Sequence, residues 1–187
     1  QNHFVAQYFQ PVLAANVASW NVTRIQILAE QAGGNDDGQA LVQIQTAVAG
    51  MPGNVVLDQA TLDAGNLSSS YAWQTFSFSN ANGISPSNGL CIVVTYLASA
   101  PSCKVQHCQD WAHAGGYVNT GNAGSTWTQS MGRDLRFYVY GTVMTPNPPG
   151  TNYQLTLVRC TLRTNTDPSS RVTTAIRVYN EPSVAGP

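Results

Sequence analysis

The run Gly89-Leu90-Cys91-Ile92-Val93-Val94-Thr95-Tyr96 is the most continuously apolar stretch of the chain, and it is rich in β-branched residues. It is far shorter than the roughly 18 apolar residues of a membrane helix and has no helical spacing. It predicts a central strand buried on both faces. Such a strand needs neighbours. Residues 1–143 supply them as short apolar–polar alternations separated by Gly, Asn, Pro and Ser clusters. That pattern is the signature of an antiparallel β-sandwich or barrel.

Taken in order, residues 4–10 form the first predicted strand. Residues 22–28 follow, with Thr23, Ile25 and Ile27 on one face. Residues 41–47 set Val42 and Ile44 against Gln43 and Gln45, which predicts one wet face. Met51-Pro52-Gly53-Asn54 reads as a turn, residues 55–59 as a short strand and residues 60–67 as at most one helical turn. In residues 71–78, Phe76 and Phe78 point inward while Trp73, Thr75 and Ser77 share the other face. Short strands are expected at 105–111 and 116–119. In the last strong strand, 136–143, Leu135, Phe137, Val139 and Val143 face one way and Tyr138 and Tyr140 the other. No long amphipathic helix and no repeat of solenoid period is present.

Residues 144–152 carry Pro146, Pro148 and Pro149 and read as a stiff, extended linker. Two period-2 segments follow, 153–163 and 171–180, which predict a hairpin. The expected organisation is a sandwich over 1–143, a linker over 144–152 and a C-terminal two-stranded hairpin segment over 153–187. An isolated hairpin is marginal in water. It has to pack on the sandwich, on an upstream segment or on another molecule.

Composition narrows the setting. Apolar residues make up 43% of the 187, enough for one sizeable core with an appendage. Charged residues make up only 9%, against roughly 25% in an average soluble domain. Asn, Gln, Ser and Thr carry the polarity instead, a style of extracellular β-proteins. A net charge of -1 gives no pull toward nucleic acid or an anionic membrane. The tail is basic, with Arg159, Arg163, Arg171 and Arg177 against Asp167 and Glu181, while the body is net acidic. No charged segment followed by an apolar one opens the chain as a signal peptide would. The chain therefore reads as a mature or trimmed product whose export or anchoring segment lies upstream.

Cys103 and Cys108 bracket a short loop or bulge and are expected to form a disulfide, in keeping with an oxidising compartment. A metal pair is the rival reading, with His107 and His113 nearby, but a second cysteine pair at zinc spacing is missing. Cys91 and Cys160 sit inside strands and read as small core residues. Asn35, Asp36 and Asp37 offer oxygen ligands for a structural calcium ion, and no other cofactor is expected. Turn chemistry explains the same residues equally well. His3, His107 and His113 lack a nucleophile elbow beside them, and the Asp residues sit mostly in turns. The chain is not expected to be an enzyme.

Trp73, Trp111, Tyr117 and Trp127 are the candidate ligand-binding residues. Aromatic faces suit the CH groups of pyranose rings, and amides nearby suit hydroxyls. The alternative is that the tryptophans cap the ends of the core. Asn21-Val22-Thr23 and Asn66-Leu67-Ser68 are sequons, usable only in a host that glycosylates them.

The order of segments across residues 1–143 resembles the jelly-roll-like β-sandwich domain of bacterial secreted and surface proteins. The resemblance runs from Ala6-Gln7-Tyr8-Phe9-Gln10-Pro11 through Val22-Thr23-Arg24-Ile25-Gln26-Ile27, Leu41-Val42-Gln43-Ile44-Gln45-Thr46, Gly50-Met51-Pro52-Gly53-Asn54-Val55-Val56-Leu57 and Tyr71-Ala72-Trp73-Gln74-Thr75-Phe76-Ser77-Phe78. It continues through the 89–96 run and Gly124-Ser125-Thr126-Trp127-Thr128 to Leu135-Arg136-Phe137-Tyr138-Val139-Tyr140-Gly141. Such domains are accessory modules, and the resemblance implies no catalytic residues. The tail around Leu155-Thr156-Leu157-Val158-Arg159-Cys160-Thr161-Leu162-Arg163-Thr164 resembles the C-terminal strands of pilin-like (pseudopilin) proteins. The leading expectation is a non-catalytic structural subunit of a bacterial surface assembly or filament, partnered by itself or by other surface subunits. The alternative is a carbohydrate-binding module or adhesin-like domain whose partner is a polysaccharide. No nucleic acid partner and no membrane span are expected.

Overall fold

The structure, a computed structural model, describes residues 3–31, 38–96, 103–108, 116–120, 126–129, 134–146, 155–156 and 160–161. Its strands in chain order begin with β1 (His3–Phe9), β2 (Ser19–Gln31), β3 (Gln39–Val48), β4 (Met51–Asp63), β5 (Ala72–Ser77) and β6 (Leu90–Tyr96). Four short strands follow, β7 (Cys103–Val105), β8 (His107–Cys108), β9 (Gly116–Thr120) and β10 (Thr128–Gln129). The series closes with β11 (Asp134–Leu135), β12 (Phe137–Met144), β13 (Leu155–Thr156) and β14 (Cys160–Thr161). Among the described residues the helical content is one 3-10 turn, Ala64–Asn66, capped by the Asp63 carboxylate, which accepts the Gly65 N–H at 3.1 Å.

The fold is all-β, with two antiparallel sheets in a sandwich-like arrangement. One sheet runs β10-β9-β1-β6-β3-β4 and is called the β6 sheet below. The other runs β13-β12-β2-β5, with β7 also on β2 and β14 also on β12, and is called the β2 sheet. The core lies between them. Val5, Phe9, Val42, Ile44, Leu90, Ile92 and Val94 come from the first sheet, and Val22, Ile25, Ile27, Phe76, Phe137, Val139 and Val143 from the second. Each such side chain is worth about 1.5–3 kcal/mol when fully buried, so the alternation along these strands sets the faces. Trp20 is 1% exposed, and its indole Nε1 donates to the Ser85 carbonyl at 3.3 Å.

β6 is buried on both faces, as its sequence predicts. Leu90, Ile92 and Val94 enter the main core. Cys91 and Val93 turn to the far side, where Ala6 and the partly buried Tyr8, Ala47 and Trp127 pack over them. Gln45 pairs with Cys91 across the sheet and is itself buried, so the face expected to be wet around it is covered.

Other local expectations are corrected by pairing. Thr23 is exposed rather than inward. The β2–β12 ladder steps from Tyr140↔Arg24 to Gly141↔Val22, and this bulge drops Thr23 out of the alternation. Gly141 passes so close to the Asn21 carbonyl at this bulge that no Cβ fits. Residues 51–54 are not the turn. Val48 pairs with Met51 and the two-residue loop is Ala49–Gly50. Pro52 is tolerated inside β4 because β4 is the edge of its sheet.

Two chain segments share one side of β2. β12 follows β2 as far as Phe137↔Ile27, and β7 takes over at Val105↔Ala29. At the handover Gln106 N–H donates to Leu28 O at 2.8 Å, Leu28 N–H to Arg136 O at 3.3 Å and Arg136 N–H to Gln106 O at 3.1 Å. β8 and β11 then pair with each other, Cys108 opposite Asp134 and His107 opposite Leu135. The expected Cys103–Cys108 disulfide is not found among the described residues. These residues sit in successive extended strands, Cys103 opposite Gln31 and Cys108 opposite Asp134. Five residues at about 3.3 Å each carry the Cα atoms well past the roughly 7 Å that a disulfide spans. The Cys103 thiol is buried instead beside the Gly38 carbonyl, at 4.0 Å.

Two pieces of the first predicted tail strand, β13 and β14, join the sandwich. Leu155 and Thr156 pair with Val143 and Thr142, and Cys160 and Thr161 with Val139 and Tyr138. The second predicted tail strand, 171–180, lies outside the described residues. No helix among the described residues is long and apolar enough to cross a membrane.

Candidate functional site

The outer face of the β2 sheet carries the candidate site. With Ile25, Ile27, Phe76, Phe137 and Val139 committed to the core, the alternate positions of β2, β5 and β12 must face outward. Those positions hold Arg24 and Gln26 on β2, Trp73, Thr75 and Ser77 on β5, and Tyr138 and Tyr140 on β12. The ladder aligns them in rows: Ser77, Arg24 and Tyr140 across one, Thr75, Gln26 and Tyr138 across the next.

The aromatic groups form a continuous strip. Trp73 and Tyr138 have ring centroids 4.6 Å apart with planes at 44°, and Tyr138 and Tyr140 are 6.5 Å apart at 47°. The Arg24 guanidinium carbon lies 3.9 Å from the Tyr140 ring centroid, a cation–π contact that extends the strip by a charged end. Trp73 is 42% exposed, large for a tryptophan on a sheet face. Polar side chains hold the rings in place. Tyr140 Oη donates to Gln26 Oε1 at 2.8 Å, and Gln26 Nε2 donates to Thr75 Oγ1 at 3.0 Å. The relay uses one N–H and one acceptor site of Gln26 and one acceptor site of Thr75, so the Gln26 amide and the Thr75 hydroxyl keep further hydrogen-bonding capacity toward a ligand. Beyond Trp73, Lys104 pairs with Glu30 at 3.8 Å. Burial raises the Tyr71 phenol above its ordinary value, and the neighbouring Glu30 carboxylate and its hydrogen bond add to this.

Of the sequence-predicted ligand residues, Trp73 and Trp127 do not share a surface. Trp73 is on the β2 sheet. Trp127 packs against Ala6, Cys91 and Val93 on the far side of the β6 sheet, and its indole Nε1 is buried with no hydrogen-bond partner among the described residues. Tyr117 stands in β9 of that same sheet, opposite Ala6. Trp111 lies outside the described residues, as do Asn35, Asp36 and Asp37, the calcium candidates. Tyr138 and Tyr140 are not among the ligand residues that the sequence singles out. Their signal was present in the alternation of residues 136–143, but only the pairing of β5, β2 and β12 puts them beside Trp73.

A cavity of about 510 Å³ opens at one end of the sandwich, lined among others by Tyr8, Asn82, Ser85 and Ser87. Its polar groups already serve one another. Tyr8 Oη donates to Gln10 Oε1 at 2.9 Å, Gln10 Nε2 to the Ser87 carbonyl at 3.0 Å, and the Ser85 and Ser87 hydroxyls are 3.0 Å apart. Asn82 Nδ2 donates to Ser79 O. Of the two sequons, Asn21 is engaged on both sides of its amide: Nδ2 donates to Thr142 Oγ1 at 3.2 Å, and Oδ1 accepts from Gly83 N–H at 2.8 Å. Asn66 is exposed on the 3-10 turn. Among the described residues no group of three or more His, Cys, Asp or Glu side chains is placed to hold a metal ion. No protein-family model, curated protein or solved structure matches this chain.

Proposed function

We propose that the chain is a non-catalytic, extracellular β-sandwich module of a bacterial surface or secreted protein, and that it binds polysaccharide on the outer face of the β2 sheet. One observation carries the reading: a strip of exposed Trp73 and half-buried Tyr138 and Tyr140, flanked by Gln26 and Thr75. Ring faces bury the apolar CH surface of a pyranose, and the amide and hydroxyl groups beside them meet its hydroxyls. A strip of this length suits a chain of sugar residues rather than a single one. The jelly-roll-like resemblance of residues 1–143 agrees with an accessory module. A panel of plant, algal and bacterial oligosaccharides tests the reading. Binding is expected to at least one class, with loss of roughly tenfold or more in affinity in Trp73→Ala. Silence across the panel, or binding untouched by Trp73→Ala, overturns it.

Self-association, as in a surface assembly or pilin-like filament, is the second reading. The observation that favours it is the edge strand β4, thirteen residues long, with Met51, Val55 and Val56 exposed. Long apolar edges pair with other strands unless guarded. The tail contributes less to this reading than its sequence implied, because β13 and β14 pair with β12 of their own chain. Light scattering of the full chain with and without Val55→Lys tests it. A species monomeric in both forms ends it.

A further inference from the structure

Arg24 narrows the ligand class. It is exposed, sits at the end of the aromatic strip and has no carboxylate partner among the described residues. Lys104, at the other end of the face, is by contrast paired with Glu30. A guanidinium over a ring face spends its π surface on the ring and keeps its in-plane N–H groups for a second partner. Tyr140 cannot swing away freely, because its hydroxyl is tied to Gln26 and Gln26 to Thr75. The guanidinium is therefore held in position before any ligand arrives, which lowers the entropic cost of pairing it. Its neighbours across the ladder, Ser77 and Tyr140, carry no charge. The body of the chain is net acidic, so no broad basic field gathers anions on this face.

Resting on the polysaccharide reading above, we infer that the β2-sheet face selects acidic polysaccharide, with Trp73 and Tyr138 stacking on sugar rings while Arg24 takes the carboxylate of a hexuronate residue as a bidentate pair. The planar fork of arginine matches a carboxylate in two parallel N–H to O bonds. Neutral glycans would use the rings alone. The carboxylate contributes selectivity through one positioned pair, and that pair weakens as salt rises because the face is open to solvent.

The test uses the full chain and oligomers of galacturonate, glucuronate, and mannuronate with guluronate. Each is compared with its carboxyl-reduced neutral counterpart and with a sulfated neutral oligomer, by calorimetric titration. At least one uronate oligomer is expected to bind about tenfold more tightly than its reduced form. Arg24→Gln should remove that difference and keep the weaker neutral binding, whereas Trp73→Ala should weaken both. Thermal melts confirm that each variant is folded. Equal affinity for acidic and reduced oligomers, with Arg24→Gln silent and Trp73→Ala disruptive, overturns the acidic preference and leaves the aromatic platform standing. Loss of neither ligand in Trp73→Ala overturns the platform itself. A sulfated oligomer bound as tightly as the uronate overturns the carboxylate assignment.

Discussion

Gln7 and Leu135 are joined in the interior of the sandwich: Gln7 Oε1 accepts the Leu135 backbone N–H at 2.9 Å, across 128 positions of sequence. Gln7 is only 4% exposed, and its Nε2 donates to the Tyr8 carbonyl at 3.3 Å. The bond ties β1 to β11, the short strand that leaves the β2 ladder to pair with β8. Gln7→Met keeps the length of the side chain and removes the acceptor, leaving a buried N–H unmet. It should cost about 1–3 kcal/mol in denaturant melts. Gln7→Glu retains an acceptor but buries a charge. Its deficit relative to wild type should grow as pH rises past the carboxylate range, because desolvation favours the neutral acid. A Gln7→Met variant as stable as wild type would show that the bond carries no stability.

Asp58 fastens the loop after β5 to the edge strand β4. One carboxylate oxygen accepts the Ser79 and Asn80 N–H groups, both at 2.7 Å, and the other accepts the Gln59 N–H at 2.9 Å. Burial pushes the carboxyl up, but hydrogen bonds from the backbone of Asn80, Ser79 and Gln59 and from the Asn80 side chain outweigh it and hold the group below its ordinary value. A folded-state value below the unfolded one gives stability that is present above the unfolded carboxylate value of about 4 and lost as pH falls through the folded value. Asp58→Asn should cost about 1 kcal/mol at neutral pH, less than a buried charged hydrogen bond because the group is partly exposed. The gap between variant and wild type should close on acidification. A gap independent of pH would refute the carboxylate's role.

The fold was legible where alternation met burial. Ile25, Ile27, Phe76, Phe78, Phe137 and Val139 all point inward as their periodicity requires. Two-sided burial of Leu90 to Val94 followed from an unbroken apolar run. What failed depends on pairing across distant segments. Nothing local to Thr23 announces the bulge opposite Gly141, and nothing local to Gln45 announces that Trp127 and Tyr8 help cover its face. The site was half legible for the same reason. Trp73 could be chosen as an exposed aromatic, and the outward turn of Tyr138 and Tyr140 was readable from their strand. Their meeting is a fact of sheet order, β5-β2-β12, which short-range pattern does not encode.

Two cysteines should be chemically quiet. Cys91 is fully buried between sheet residues, and burial pushes its thiol up to about 12. Only the thiolate alkylates readily, so Cys91 should react with iodoacetamide at about pH 8 no faster than the protein unfolds. Cys103 is raised by burial first and then by the Asp63 carboxylate, and it should be slow for the same reason. Peptide mapping without reductant should recover Cys103 and Cys108 in separate peptides. A linked 103–108 peptide would contradict the extended β7–β8 run.

The β3–β4 hairpin turns on two residues, Ala49 with φ of 51° and Gly50 with φ of 79°. Positive φ at both positions is the requirement of a type I′ turn, which matches the twist of the flanking strands. Gly50 meets that requirement freely. Ala49 does not, because its Cβ crowds the following carbonyl in the left-handed region, at a cost of roughly 1 kcal/mol. Asn adopts this region far more readily, and Asn-Gly is the preferred pair for the turn. Ala49→Asn should therefore raise stability by about 0.5–1 kcal/mol, and Ala49→Gly by less, since glycine also loosens the unfolded chain. Ala49→Val should lose stability, because a β-branched side chain tolerates positive φ poorly. Thermal melts of the three variants give the order directly. The predicted ranking is Asn above Gly above Ala above Val, and a valine variant equal to wild type would show that this turn does not need its left-handed backbone.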